Sequence, residues 1–295
     1  MKWWIYQKER FSLVAHAPLI LAFSACGVSY SALLVGTRPS LVSFAVAFAV
    51  CLMMFMQLRI ADEFKDAEDD ARWRPYRPVP RGLVSLAELR GWFIAFAIAQ
   101  LALSALLDLW LIGLLLVAWS YLTMMCVEFF CRDWLKARPV IYLLSHMGIM
   151  PLVDWFATAC HWAPAGHGMP AGLGWFLAAS FFNGIVIELG RKIRRKEDEE
   201  EGVETYSVLW GKKRATIAWL ATMLLTLLCG WRASLLTNFH EIFLWCTIPA
   251  FLLSACVAYL FIISNKSSKG IEKLSALWTL ALYLILGVIP LWLKY

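Results

Sequence analysis

Apolar residues gather into nine long runs, near positions 14 to 36, 39 to 58, 87 to 107, 109 to 130, 139 to 160, 172 to 188, 215 to 230, 240 to 263 and 274 to 293. Each approaches the roughly 20 residues that a helix needs to cross a hydrocarbon core about 30 Å thick. Lipid offers the backbone no hydrogen-bond partners, so each run is predicted to be a helix. The third and fourth runs are separated only by Leu107 and Asp108, which requires a tight helical hairpin. The sixth and seventh are the shortest. The first is long and offers no small-residue cleavage site, so it is read as a retained helix. The pattern predicts an all-α integral membrane protein, a single transmembrane domain over 1–295 with nine spans.

Composition agrees. Hydrophobic residues make up 61% of the 295 and charged residues 16%, against roughly a quarter charged in soluble domains, which excludes a soluble enzyme. The eight cysteines mostly sit inside apolar runs and none shows CxxC spacing, so neither a zinc site nor a redox pair is implied.

The charges then orient the spans. With nine crossings, 24 of the 27 Lys and Arg fall on one side, leaving Arg38, Arg232 and Lys294 on the other. The positive-inside rule makes the basic side cytoplasmic. The net charge of +6 is accounted for by topology and anionic lipid, without nucleic acid.

Two breaks on that side are rich in acids. The first, Arg59 to Arg90, carries Asp62, Glu63, Asp66, Glu68, Asp69 and Asp70. Asp62, Asp66 and Asp70 recur every fourth residue, which predicts one helical face just beyond the second span. Like charges at that spacing repel and call for a counterion. Hard carboxylate oxygens favour Mg²⁺, which binds through one or two carboxylates and substrate phosphates. Arg72, Arg74, Arg77 and Arg81, stiffened by Pro75, Pro78 and Pro80, suit a metal-bridged diphosphate.

The second break, about 188 to 214, opens with Glu188, Arg191 and Lys192 and continues through Arg194, Arg195, Lys196, Glu197, Asp198, Glu199, Glu200 and Glu201. Each acidic break follows the first helix of a four-helix set, spans two to five and six to nine. This reads as a weak parallel repeat, two four-helix sets plus an N-terminal helix, with a site where the halves meet. A single charge run is usually a solvated loop; two matched runs at matched positions argue for a metal-diphosphate site.

These residues resemble the UbiA-type membrane prenyltransferase superfamily, of the 4-hydroxybenzoate polyprenyltransferase kind, over nearly the whole chain. The family's NxxxDxxxD motif corresponds to Asp62, Asp66 and Asp70, followed by an RPxPxG-like segment from Arg77 to Gly82. Its second, DxxxD-type motif finds its best match from Glu188 to Asp198. The resemblance implies nine helices around a central cavity with a lateral opening to lipid, and two Mg²⁺ holding an isoprenoid diphosphate. It implies metal and catalytic roles for Asp62, Asp66, Asp70, Glu188 and Asp198. Two departures stand out: the leading Asn is Asp62 here, and the upstream acid of DxxxD falls on Arg194 when Asp198 is matched downstream. Either Glu188, Glu197 or Glu199 substitutes, or one metal position has changed. Lys136 and Arg138 resemble the family's basic element after span four and join Arg77, Arg81, Arg191 and Lys192 as expected diphosphate contacts. Arg10 either closes the same pocket or anchors the first span.

The implied reaction moves a prenyl group from its diphosphate to an aromatic or other lipophilic acceptor. Mg²⁺ and basic side chains would stabilise the leaving group, while a dry aromatic chamber protects the cation. Ionisable groups within a span are costly and draw attention. His146 and Asp154 in the fifth span and Asn183 in the sixth are either acceptor or cavity residues or satisfied interhelical bonds; His146 is expected about 10 Å inside the cytoplasmic edge. Two other readings are a membrane terpene cyclase on the same scaffold and a non-enzymatic transporter or lipid-binding protein.

Overall fold

The computed structural model describes residues 1–200, 202–264 and 268–295. Glu201 of the second acidic run and Lys266 of the basic tally lie outside the described residues. Among those described the regular structure is all helical, without strands.

A short helix α1 (Lys2–Arg10) precedes the first span α2 (Leu13–Val35), which stops at Gly36 in the left-handed region. Then follow α3 (Leu41–Lys65), α4 (Ala67–Trp73), α5 (Leu86–Leu107) and α6 (Trp110–Cys126). Ser40 caps α3 through the Ser43 amide, and Ser85 with Glu88 forms a capping box on α5, satisfying orphan amides of the first turns. The short helix α7 (Arg132–Lys136) leads to α8 (Pro139–Met147) and α9 (Ile149–Trp162). The second half comprises α10 (Leu173–Arg191), α11 (Tyr206–Trp210), α12 (Lys212–Thr237), α13 (His240–Ile263) and α14 (Lys269–Tyr283), continued through a π turn into α15 (Ile289–Lys294).

Eight helical segments are long and apolar enough to cross a membrane, α8 with α9 and α14 with α15 each counting as one. The fourth predicted run forms α6, an apolar helix of 17 residues, below that length. It stops short of residue 130 because Glu128, Phe129 and Phe130 all take positive φ, at 50°, 51° and 59°. The hairpin expected between the third and fourth runs is present: α5 ends at Leu107, and Asp108 Oδ1 accepts the Trp110 amide at 2.7 Å. The seventh run is longer than its apolar stretch, since α12 continues past Arg232, whose guanidinium lies over Trp175.

The first span is no outlier beside two helical sets; it runs between them. Sixty-seven per cent of its apolar window is buried, against 17% for α5. Small residues permit the approach. A Cβ on Gly27 would lie 2.9 Å from the Ala157 side chain of α9, and one on Gly287 would lie 2.6 Å from the Cys26 carbonyl of α2. Such close backbones suit helices associating by van der Waals contact.

Candidate functional site

The backbone ladder carries the first acidic motif across the break between α3 and α4. The Asp66 amide donates to Asp62 O at 2.9 Å, and the Asp70 amide to Asp66 O at 2.8 Å, so the expected common face persists. Environment separates the three. Asp62 is exposed, beside Arg59 at 3.5 Å; Asp66 is half-buried; Asp70 is buried. Asp70 takes hydrogen bonds from Arg74 Nη1 at 2.7 Å and Arg77 Nη1 at 2.6 Å, with Arg10 Nη2 at 3.7 Å. Three guanidiniums therefore hold Asp70 as the anchor of the loop. Arg10 also pairs with buried Glu63, tying α1 to α3.

Asp66 forms no ion pair among the described residues. Burial, then the neighbouring Asp62 and, more weakly, Asp70, push its carboxyl above the ordinary aspartate range, with Lys65 and Arg59 opposing. A carboxylate held under repulsion without a fixed counterion has the character of a cation ligand. Asp62 and Asp66 thus fit one Mg²⁺, which commonly uses one or two carboxylates and completes its shell with water and phosphate. Among the described residues no three His, Cys, Asp or Glu side chains converge as a metal cage.

The second loop reaches the first. Arg74 Nη2 lies 3.5 Å from the Gly202 carbonyl, and Gly202, at φ 74°, backs onto the Trp73 indole so closely that a Cβ would sit 2.6 Å from the ring. Both acidic loops therefore occupy one face of the molecule. Asp62 and Arg191 lie within electrostatic range of each other. Glu188, buried on the last turns of α10, is held by Arg191 at 2.5 Å and Lys192 at 2.9 Å. Asp198 is exposed and gripped by Arg195 through both oxygens, at 2.7 and 2.8 Å, which lowers its pKa.

Other expected diphosphate contacts have partners of their own: Arg77 serves Asp70, and Arg81 pairs with Glu9 at 3.0 Å. Lys136 and Arg138 are exposed, the Arg138 guanidinium lying over Trp134. Asn183 Oδ1 accepts from Thr279 at 3.0 Å, and Asp154 is fully buried beside Ser180 and Tyr283. These two belong to a polar seam joining α9, α10 and α14 within the membrane region, away from the loops.

His146 instead belongs to a cluster that sequence reasoning missed. Lys65 Nζ lies 2.6 Å from Glu128 Oε1 and donates to the Tyr142 hydroxyl at 2.6 Å; that hydroxyl donates to Glu128 at 3.1 Å. His146 Nε2 is 3.2 Å from Glu128 Oε2 and 3.3 Å from Lys65 Nζ, while Nδ1 meets the Tyr142 carbonyl at 2.9 Å. A carbonyl only accepts, so Nδ1 carries hydrogen, and Nε2 faces both the Glu128 carboxylate and the Lys65 ammonium. The signal available in the sequence was Glu128 itself, a lone carboxylate at the end of an apolar run. Beyond α8 an apolar groove of about 460 Å³ runs between α8, α10 and α12, lined by Leu143, Phe182, Ile185 and Trp210 among others, with Arg214 in its wall.

The model of the UbiA prenyltransferase family matches residues 20–281. Among curated proteins no sequence matches. Solved structures share the fold. An apo UbiA homolog from Aeropyrum pernix K1 superposes with a TM-score of 0.69 at 17% identity, over 95% of this chain and 98% of its own. A UbiA homolog from Archaeoglobus fulgidus bound to GPP and Mg²⁺ gives 0.59 at 15% identity, over 95% and 99%. The same homolog bound to DMAPP and Mg²⁺ gives 0.54 at 13%, over 92% and 99%.

Proposed function

The chain belongs to the UbiA prenyltransferase family, and from that premise we propose that it transfers a prenyl group from an isoprenoid diphosphate to an aromatic or other lipophilic acceptor, with Mg²⁺ bound at Asp62 and Asp66. The observation that carries this reading is the pairing of Asp66, which has no ion-pair partner among the described residues, and exposed Asp62 beside Arg59 with the cationic end of α10 within electrostatic range. The structures of the Archaeoglobus fulgidus homolog bound to DMAPP or GPP and Mg²⁺ support the donor class.

In this reading Arg191 and Lys192 orient the diphosphate, and the Asp62–Asp66 pair holds the ion. Mg²⁺, when bound, supplies positive charge to the oxygens of the departing diphosphate. The allylic C–O bond breaks, the prenyl carbon bonds to the acceptor, and the acceptor's proton leaves to a base. We assign that base to His146 Nε2, with Glu128 beside it to steady the imidazolium. The groove beyond α8 suits a chain-shaped apolar substrate arriving from the bilayer. We count α6 as a ninth crossing, since 17 residues span about 25 Å, and we assign the loop face to the cytoplasm from the basic residues.

The test is incubation of membranes with a labelled series of prenyl diphosphates and a lipid extract, with and without Mg²⁺. A prenylated lipophilic product that requires Mg²⁺ and disappears in Asp66→Ala, with the protein still folded, is expected. Full activity in Asp66→Ala would overturn the reading, and a cyclised hydrocarbon formed without acceptor would replace transfer by cyclisation.

A further inference from the structure

The two banks of the site differ in charge. The first presents Asp66, which forms no ion pair among the described residues, and exposed Asp62 beside Arg59, with Asp70 held apart by Arg74 and Arg77. Glu63 and Lys65 are each matched by an opposite charge, Arg10 and Glu128. The second bank presents one carboxylate, Glu188, and two cations, Arg191 and Lys192, one net positive charge. A divalent cation is drawn to the first bank and repelled by the second; a diphosphate is drawn to the second without a metal.

Every carboxylate from Glu188 to Glu200 has a partner, while Glu204, farther along the break, is exposed. Glu188 is buried under Arg191 and Lys192, Asp198 is gripped by Arg195, Glu200 meets Arg194 at 2.9 Å, and Glu199 accepts from the Thr205 hydroxyl at 2.8 Å. Glu197 is engaged as well. The exposed Arg195–Asp198 pair is worth under about 1 kcal/mol and alone would not keep a metal away. Glu188 decides the matter, because freeing a buried carboxylate from two adjacent cations leaves those cations facing the incoming ion. Arg194 adds to this, standing where the second motif calls for an acid.

We infer that this chain binds its diphosphate with a single divalent ion, on the Asp62–Asp66 bank, and that Arg191 and Lys192 take the place of a second metal. The inference rests on the prenyl diphosphate reading. It makes Arg191 a binding residue for substrate rather than a partner for a metal ligand. Its side chain is 55% exposed, so it has room to leave Glu188 for phosphate while Lys192 stays.

The experiment uses the whole protein in lipid nanodiscs with Mn²⁺ in place of Mg²⁺ and geranyl S-thiolodiphosphate, which does not ionise. Bound Mn²⁺ is counted after rapid desalting, and its electron paramagnetic resonance spectrum is recorded. One Mn²⁺ per chain with the spectrum of an isolated ion is expected. Two per chain, or a spin-coupled pair, would overturn the single-metal site and leave the prenyl diphosphate reading intact. Failure of the analogue to bind with Mn²⁺ would overturn both. Arg191→Gln should keep the count at one and weaken the analogue roughly ten-fold, the scale of one charge-assisted contact; unchanged analogue affinity in that variant would remove Arg191 from the diphosphate. Circular dichroism and gel filtration check that the variant is folded.

Discussion

Lys65 Nζ stands 2.6 Å from Glu128 Oε1, so the last turn of α3 is tied to the chain where α6 ends in three successive left-handed residues. Left-handed backbone costs a non-glycine residue about 1–3 kcal/mol. The strain buys a turn that aims Glu128 inward, where its side chain is only 4% exposed. Removing one partner of such a pair leaves a buried charge uncompensated. Glu128→Gln is therefore expected to destabilise the protein by about 3–5 kcal/mol. The double variant Lys65→Met, Glu128→Gln should lose less than the two single losses combined. Thermal unfolding of the four proteins in one detergent measures the coupling; strict additivity would show that the pair does not interact.

The contact between Trp73 and Gly202 makes a second test. Both a left-handed φ and the indole behind it exclude a side chain at position 202. Gly202→Val should part the two loops and weaken binding of a prenyl diphosphate analogue, with little change in helix content. Trp73→Ala opens the space the valine needs, so the pair of changes should recover part of the loss. Equal affinity in Gly202→Val and the parent would mean the loop contact does not shape the site.

The spans were legible because lipid leaves the backbone one solution, and a long apolar run announces it. Interruptions were less legible. The fourth run looks continuous through Phe129 and Phe130, and the positive φ at Glu128, Phe129 and Phe130 ends it. In the seventh, Arg232 reads as a stop, yet it lies over Trp175, a contact between helices far apart in the chain. The spacing of Asp62, Asp66 and Asp70 gave their common face. Their separate roles depend on which arginines arrive from α1 and from the proline-rich turn, and one-dimensional spacing carries no such information. The same holds for Lys65, Glu128, Tyr142 and His146, which come from two helices and a turn.

Topology supplies a third prediction. The loops at Asp66 and Gly202 share a face, and α10 crosses between Gly202 and the turn at Gly166. A reporter fused after Gly202 should therefore be cytoplasmic, and one inserted at Gly166 should lie on the opposite side. A non-cytoplasmic signal after Gly202 would reverse the assignment from the basic residues. Signals from one side at both positions would contradict the crossing of α10 itself.

The raised pKa of Asp66 fixes the sign of a stability effect. Burial and Asp62 disfavour its charged form in the folded protein, so its folded pKa lies above the unfolded value of about 3.9. Above both values the folded state holds an unwelcome charge and loses stability relative to the unfolded chain. As pH falls through the folded pKa, the proton binds the folded state first and the loss is recovered. Asp66→Asn removes the charge at every pH. In EDTA at pH 7.5 this variant should unfold at a temperature higher than the parent by roughly 1–3 °C, and the difference should shrink as the buffer is taken toward pH 4. Mg²⁺ with a diphosphate analogue should then reverse the order, stabilising the parent and leaving the variant where it was, because ligand binding to the folded state adds stability only where the site survives. A variant that is less stable than the parent in EDTA at neutral pH would show that Asp66 is satisfied within the protein and is not waiting for a cation.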